Sequence, residues 1–532
     1  MVVEARRNSA LVALVALAAS ATSLRNGFAY DDIAIIATNT KVHDLSSWWT
    51  LFASPYWPAQ YGESLYRPFS TLAYSIQWAV GGGSPLLFHG VSVALFVVLA
   101  VAVLVLLREF LEETGAAVGA ALFAAHPVHT EAVANVVGQA ELFAALGVVG
   151  ALTLYLRASR AGGPSFRQGF GIAALYAVAS MAKEHALLFP LLIGALELTV
   201  LRENRDRRNA VRLTVVLLLV AATVLAARSA VLGSVFGEQN PVEMDLSTRV
   251  WTMFRVAPEW LRLLVWPAHL SADYGPNQIA IVDGPGAVSL LGIVVLILWA
   301  IAFAYALRKQ REIAFGLAWL AITFIPVSNL LSGVVLQERT LMLPSVGAAL
   351  VLGASFQWLL RQATTLEARR GLVGVVAVLA MLGVVKSARR NPVWRDNLTL
   401  FTQTVQDAPR SYRAHYVYGR ELFNVGRAGE GERELRQAIA LSRNDSDPYN
   451  FLATKYREAK LYPQAIPLYR TALELRPNRP DSRFGLAYSL LYNGDPVGAR
   501  AQADTGLASG QLKSYFEFVR TQADSVLRTR VP

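Results

Sequence analysis

Apolar residues occupy the first 390 positions in long runs, and beyond that point polar and apolar residues alternate at helical spacing. A helix that crosses a bilayer needs about 20 mostly apolar residues. Eleven segments approach that pattern: 9–26, 86–107, 115–126, 141–157, 169–182, 186–201, 212–232, 287–307, 312–330, 340–360 and 370–386. Three of them, 115–126, 169–182 and 186–201, are short and extend into polar neighbours. The stretch 250–268 mixes apolar and charged positions, as a helix lying along a membrane surface does. The expected fold is all-α, a polytopic bundle of about 11 spans over 1–390, a linker at 391–411 and a soluble helical region at 412–532.

That last region repeats. Segments 412–445, 446–479 and 480–513 align at a period of 34 residues, the period of tetratricopeptide (TPR) arrays. Gly419, Ala453 and Ala487 share one position, with Tyr418, Leu452 and Leu486 before them. Leu435, Tyr469 and Ala503 share another, as do Ala438, Ala472 and Gly506, and Pro477 closes the second repeat. Small residues let paired helices approach, and large ones fill the seam between repeats. An α-solenoid is expected, capped by a helix at 514–529.

Composition sharpens the membrane assignment: 54% of residues are hydrophobic and 16% charged, against about 25% charged in soluble domains. The net charge is +11, but its arginines cluster between apolar runs, where they orient a chain in a bilayer rather than bind nucleic acid. With the N-terminus inside, the inner loops hold Arg108; Arg160 and Arg167; Arg202, Arg205, Arg207 and Arg208; Arg308, Lys309 and Arg311; and Arg361 and Arg369. The long outer loop 27–85 holds only Lys41 and Arg67. An odd number of spans then places the tail outside, periplasmic or extracellular, although Lys386, Arg389, Arg390 and Arg395 after the last run pull the other way. Arg6 and Arg7, the first apolar run and Ala19-Ser20-Ala21 also fit a cleavable signal peptide, which leaves residue 27 onward on the same side. The absence of cysteine excludes disulfides and thiolate zinc sites.

Polar clusters interrupt the apolar pattern where spans end, and retained charge near a membrane core marks function. Asp31 and Asp32 follow Tyr30; one of two adjacent carboxylates can accept a proton near neutral pH, or the pair can hold a divalent cation. His126, His129 and Glu131 precede Asn135, Gln139 and Glu141; Glu131, Asn135 and Gln139 fall at four-residue steps and suggest a polar wall against substrate. A metal site there lacks the helical histidine spacing. Lys183 with Glu184, Arg67 within Tyr66-Arg67-Pro68, and Glu338 with Arg339 offer cations for a phosphate or, more plainly, loop ion pairs. No P-loop, dinucleotide glycine motif or Gly-x-Ser-x-Gly elbow accompanies them.

In this order, together with Phe324-Ile325-Pro326-Val327-Ser328-Asn329, Leu343-Pro344-Ser345, and Trp266-Pro267 before Leu270-Ser271-Ala272-Asp273-Tyr274, these residues resemble the transmembrane and tetratricopeptide-repeat (TMTC) O-mannosyltransferases and their bacterial relatives. The resemblance spans the chain, whose repeat array is shorter than in the animal enzymes. It implies a GT-C glycosyltransferase that moves a sugar, mannose by analogy, from a polyprenyl-phosphate carrier to an acceptor hydroxyl, with the repeats binding acceptor or partner. It further implies that Asp31 or Asp32 is the catalytic base; the polar clusters themselves make Arg67, His126, His129, Glu131, Glu141, Lys183, Glu184, Glu338 and Arg339 the expected substrate-binding residues. The rival functions are a transporter of lipid-linked intermediates and a membrane-anchored assembly scaffold. A transporter spreads charge through its bundle, whereas here the charge gathers at span ends, and eleven runs exceed what an anchor needs.

Overall fold

The computed structural model describes the chain apart from residues 1, 63, 202–206, 236–243, 276, 329–335 and 530–532, and apart from the side chains of Val2, Arg207 and Arg208. Arg202, Arg205 and Asn329, with the side chains of Arg207 and Arg208, therefore lie outside the described residues. Two compact units divide the chain, Met1–Leu400 and Phe401–Pro532. The division falls within the segment read as a linker, which holds a 3-10 turn, Asn391–Trp394, and a helix, Asn397–Asp407.

Among the described residues, each apolar run of the first unit forms a helix over most of its length. Among the described residues seven helices are long and apolar enough to cross a membrane: Val3–Arg25, Pro85–Leu107, Val136–Arg160, Asn209–Leu232, Ala287–Lys309, Glu338–Gln362 and Leu366–Trp394. The others are shorter: Glu113–Ala125, Phe166–Ala182, Phe189–Thr199 and Arg311–Phe324. Local chemistry sets their ends. Helix Glu113–Ala125 stops at His126 because Pro127 disfavours helical backbone in the residue before it. Pro326 follows the end of helix Arg311–Phe324 inside a 3-10 turn, where its missing N–H cannot continue the helical hydrogen bonds. The surface reading of 250–268 corresponds to helix Leu246–Val265, which leaves Leu246, Leu261, Val265 and Trp266 exposed.

The first helix belongs to the bundle core. Val12, Ala16 and Ala19 are buried, and the helix packs on Pro85–Leu107 and Glu113–Ala125. Neighbouring helices approach closely at small residues: a Cβ on Gly347 would lie 2.8 Å from the Gly316 carbonyl, and one on Gly353 2.6 Å from that of Gly115. Arg108, Arg160 and Arg361, from loops expected inside, and Arg157 beside them form ion pairs at one end of the bundle. Arg108 bonds Glu113 and the Ala5 carbonyl, Arg157 and Arg160 hold Glu109, and Arg361 reaches Glu112.

In the second unit, helix starts recur at the period read from the sequence. Tyr412, Ser446 and Pro480 open one member of each hairpin, and Ala428, Tyr462 and Pro496 the other. The shared small positions are buried, including Gly419, Ala453 and Ala487. The turn inside each hairpin uses one left-handed residue, Gly426 (φ 81°), Lys460 (φ 60°) and Gly494 (φ 88°), again at a constant interval. Lys460 is the costly member, because its Cβ crowds a conformation that glycine adopts freely. Helix Lys513–Thr529 closes the unit and buries Phe516, Val519 and Ala523.

Candidate functional site

The polar clusters meet at the bundle end opposite the paired arginines of the inner loops. Helices Val2–Ser20 and Gln139–Arg160 show the polarity, since each has a paired inner-loop arginine at one end and a site residue at or beyond the other. Tyr30 turns the chain there with φ 55°, a conformation rare for a bulky residue and often stored at functional sites. Its N–H donates to Asn397 Oδ1 at 2.7 Å, and a π-helical turn, Ile33–Ala37, follows.

The adjacent aspartates have different partners. Asp31 accepts from Arg339 Nη1 at 3.0 Å. Asp32 accepts from two backbone amides, Val136 N–H at 3.1 Å and Val137 N–H at 2.8 Å, one to each oxygen. Asp32 therefore ties the loop after the first helix to the 3-10 turn Val136–Gly138. That turn corrects the continuous helical face expected for Glu131, Asn135 and Gln139. Helix Thr130–Ala134 ends at Asn135, and Gln139 points into the bundle, where it bonds Gln77, Ser92 and the Phe88 carbonyl.

Arg339 sits between two carboxylates. Its backbone N–H donates to Glu131 Oε2 at 3.0 Å and its Nε lies 3.6 Å from Glu131 Oε1, while Nη1 holds Asp31. Beside it, Lys183 Nζ lies 2.8 Å from Glu141, with His185 Nδ1 3.6 Å from the same carboxylate. Arg67 engages Glu184 through Nε and Nη2 at 3.0–3.2 Å. These side chains form one field: Lys183 feels Arg67, Glu141, Arg339 and Glu184. Glu338 stands apart, buried, accepting from Tyr274 Oη at 2.5 Å and Ser271 N–H at 2.6 Å.

The two histidines stay outside this network. His126 accepts from Val128 N–H on Nδ1, so its Nε2 carries the proton that it gives to the Leu264 carbonyl at 3.0 Å. His129 is buried against Phe123 and Phe96, with Nε2 on Ser345 Oγ at 2.8 Å. Since Ser345 gives its own hydrogen to the Met342 carbonyl, His129 is the donor in that pair. Among the described residues, no group of three His, Asp or Glu side chains is placed to hold a metal ion.

Arg228 was missed as a site residue. It lies inside an apolar run, a signal that should have marked it. Its Nη1 reaches Glu184 at 3.3 Å. Tyr56 also joins the site, its ring 5.0 Å from the Arg67 guanidinium carbon.

Burial works against charge throughout the site. It raises Glu131 despite Arg339, and lowers Lys183. Burial also acts to raise Glu184, but Arg67 and Lys183 outweigh it and bring the group to about 2. Burial lifts Asp32 to about 7 against its two amide bonds. An aspartate with a raised native pKa binds its proton more tightly folded than unfolded. Its contribution to stability is full below about 4 and is lost as pH rises to about 7. At 1.36 kcal/mol per pKa unit, the loss is about 4 kcal/mol. Thermal melts of the purified protein across pH 4–8 should show this slope, and Asp32→Asn should flatten it; an unchanged slope would assign the effect to another group.

No family model matches the chain. Curated relatives do. Protein O-mannosyl-transferase TMTC3 of Mus musculus is 24% identical over 90% of this chain and 57% of its own length. Protein O-mannosyl-transferase TMTC1 of Homo sapiens is 26% identical over 82% of the chain and 55% of its own length. Protein O-mannosyl-transferase F38B6.6 of Caenorhabditis elegans is 25% identical over 82% of the chain and 63% of its own length. The resemblance read from the ordered motifs is thus a similarity along most of the chain, which itself spans a little over half the length of these relatives. Among solved structures, the archaeal oligosaccharyltransferase AglB from Archaeoglobus fulgidus, in complex with an inhibitory peptide and a dolichol-phosphate, is similar at TM-score 0.44 and 14% identity, over 78% of this chain and 59% of that one.

Proposed function

We propose that this membrane protein transfers a sugar, mannose by analogy with its relatives, from a polyprenyl phosphate to an acceptor hydroxyl, with Asp31 as general base. The observation that carries the assignment is the different bonding of the aspartate pair. Both Asp32 oxygens are committed to backbone amides, whereas Asp31 presents its carboxylate to a side-chain cation at the shared charged field.

In the proposed reaction the acceptor oxygen attacks the anomeric carbon and its proton passes to Asp31. The bond from that carbon to the phosphate oxygen breaks, and the lipid phosphate leaves with the electron pair. One displacement inverts the anomeric centre. The leaving phosphate gains charge, which the cations of the site offset without a proton donor. Arg339 orients Asp31 through the bond from Nη1.

The second unit supports a TPR reading: paired helices at a constant period, small residues at their crossings and a capping helix. We read it as the surface that holds the acceptor polypeptide, on the outer side of the membrane. The test uses the full chain in proteoliposomes with radiolabelled polyprenyl-phosphate mannose and a serine- and threonine-rich peptide. Label should move to the peptide and, more slowly, to water. Failure of both transfers, with the protein correctly inserted, would overturn the proposal.

A further inference from the structure

Two arginines from distant parts of the chain converge on one carboxylate. Arg67, just before helix Pro68–Gly81, and Arg228, near the end of helix Arg207–Leu232, both contact Glu184. Their side chains are 11% and 8% exposed, while Glu184, at 25%, is the open member of the triad. Arg67 offers a two-nitrogen fork to both Glu184 oxygens, a geometry that suits phosphate oxygens equally well. Tyr56 stacks against its guanidinium, and the Val235 carbonyl fixes Arg228 through Nε at 2.8 Å.

Helix Asn209–Leu232 is otherwise a lipid-facing element. Little of it is buried, and Val211, Val215, Leu218 and Leu219 are exposed. An arginine on such a helix is expensive in a bilayer unless it meets a charged partner. Arg228 turns inward and is itself 7% exposed. The chain thus pairs a surface fit for a polyprenyl tail with a buried two-arginine fork at its end.

We infer that Arg67 and Arg228 form the anion site for the lipid phosphate and that Glu184 is its resident counter-ion, displaced when the phosphate arrives. The inference rests on the donor class proposed above. While the site is empty, Glu184 prevents two buried like charges from repelling each other. When the phosphate enters, the fork exchanges one anion for another, and Glu184 swings to its open side. The carboxylate is thus a competitor of the ligand as well as a partner of the arginines.

Competition fixes the sign of the test. Binding to the full chain in nanodiscs is measured with a short polyprenyl phosphate, with the matching unphosphorylated polyprenol and with inorganic phosphate. Glu184→Gln should tighten the polyprenyl phosphate roughly tenfold, the scale of one charge-assisted hydrogen bond, and should leave the polyprenol unchanged. Arg228→Gln should weaken the polyprenyl phosphate by about tenfold to a hundredfold on the same scale. Weaker or unchanged binding in Glu184→Gln, at a wild-type melting temperature, makes the triad structural and overturns the inference. If that variant does not fold, Glu184→Asp, which withdraws the carboxylate by one methylene, should tighten binding in the same direction; loosening overturns the inference. Inorganic phosphate that binds as tightly as the lipid would overturn the lipid assignment. No binding of polyprenyl phosphate to the wild-type chain would instead overturn the donor class itself.

Discussion

Asp31→Asn should lower sugar transfer by about 100- to 10,000-fold, the usual contribution of a general base, while polyprenyl-phosphate affinity stays near the wild-type value. The amide oxygen can still accept from Arg339 Nη1, now 3.0 Å from Asp31 Oδ2, so the loop keeps its anchor and only proton acceptance is lost. The two constants separate the roles: kcat falls and KM for the donor does not. Steady-state assays in proteoliposomes supply both. Near-normal turnover in Asp31→Asn would move the base elsewhere, with Glu131 and Glu141 the next carboxylates in the field.

Arg339→Leu should destabilise the protein by about 3–5 kcal/mol, because it leaves Asp31 and Glu131 buried without their cation. Both carboxylates lie within 3.6 Å of Arg339 nitrogens, and Glu131 is 4% exposed. Loss of a monodisperse peak in detergent on mild heating would report it. Arg339→Lys should retain most of the stability, since one positive charge remains, but an ammonium cannot serve Asp31 and Glu131 at once. Transfer should therefore fall in Arg339→Lys even where the melting temperature recovers. Equal melting temperatures for the leucine and lysine variants would show that charge pairing is not what Arg339 supplies.

Much of the fold was legible because its causes are local. Helical runs follow from apolar length, and their ends from residues such as Pro127 and Pro326, whose rings restrict the backbone or remove its N–H. The repeat unit was readable for the same reason, since every hairpin solves one packing problem with the same small and large positions. Its turn was not read, because Lys460 stands where the other two hairpins use glycine. Left-handed backbone at a lysine has no compositional signal.

The site was only partly legible, since side-chain partners depend on chain segments far apart. The sequence by itself determined that Asp31, Glu131, Lys183, Glu184 and Arg339 lie at the ends of apolar helices, because a bilayer tolerates charge there and not along the runs. It also determined a basic bias in the opposite loops. Only the tertiary structure decided which aspartate faces a side-chain cation, since Val136 and Val137 come to Asp32 from more than a hundred residues away. Tertiary packing also turned His126, His129 and Gln139 into the protein, and brought Arg228 out of an apolar run to Glu184. The physical reason is the same in each case. Periodicity along a chain reports what a residue's own helix presents, whereas a buried polar group is settled by whichever distant partner can satisfy its hydrogen bonds or charge.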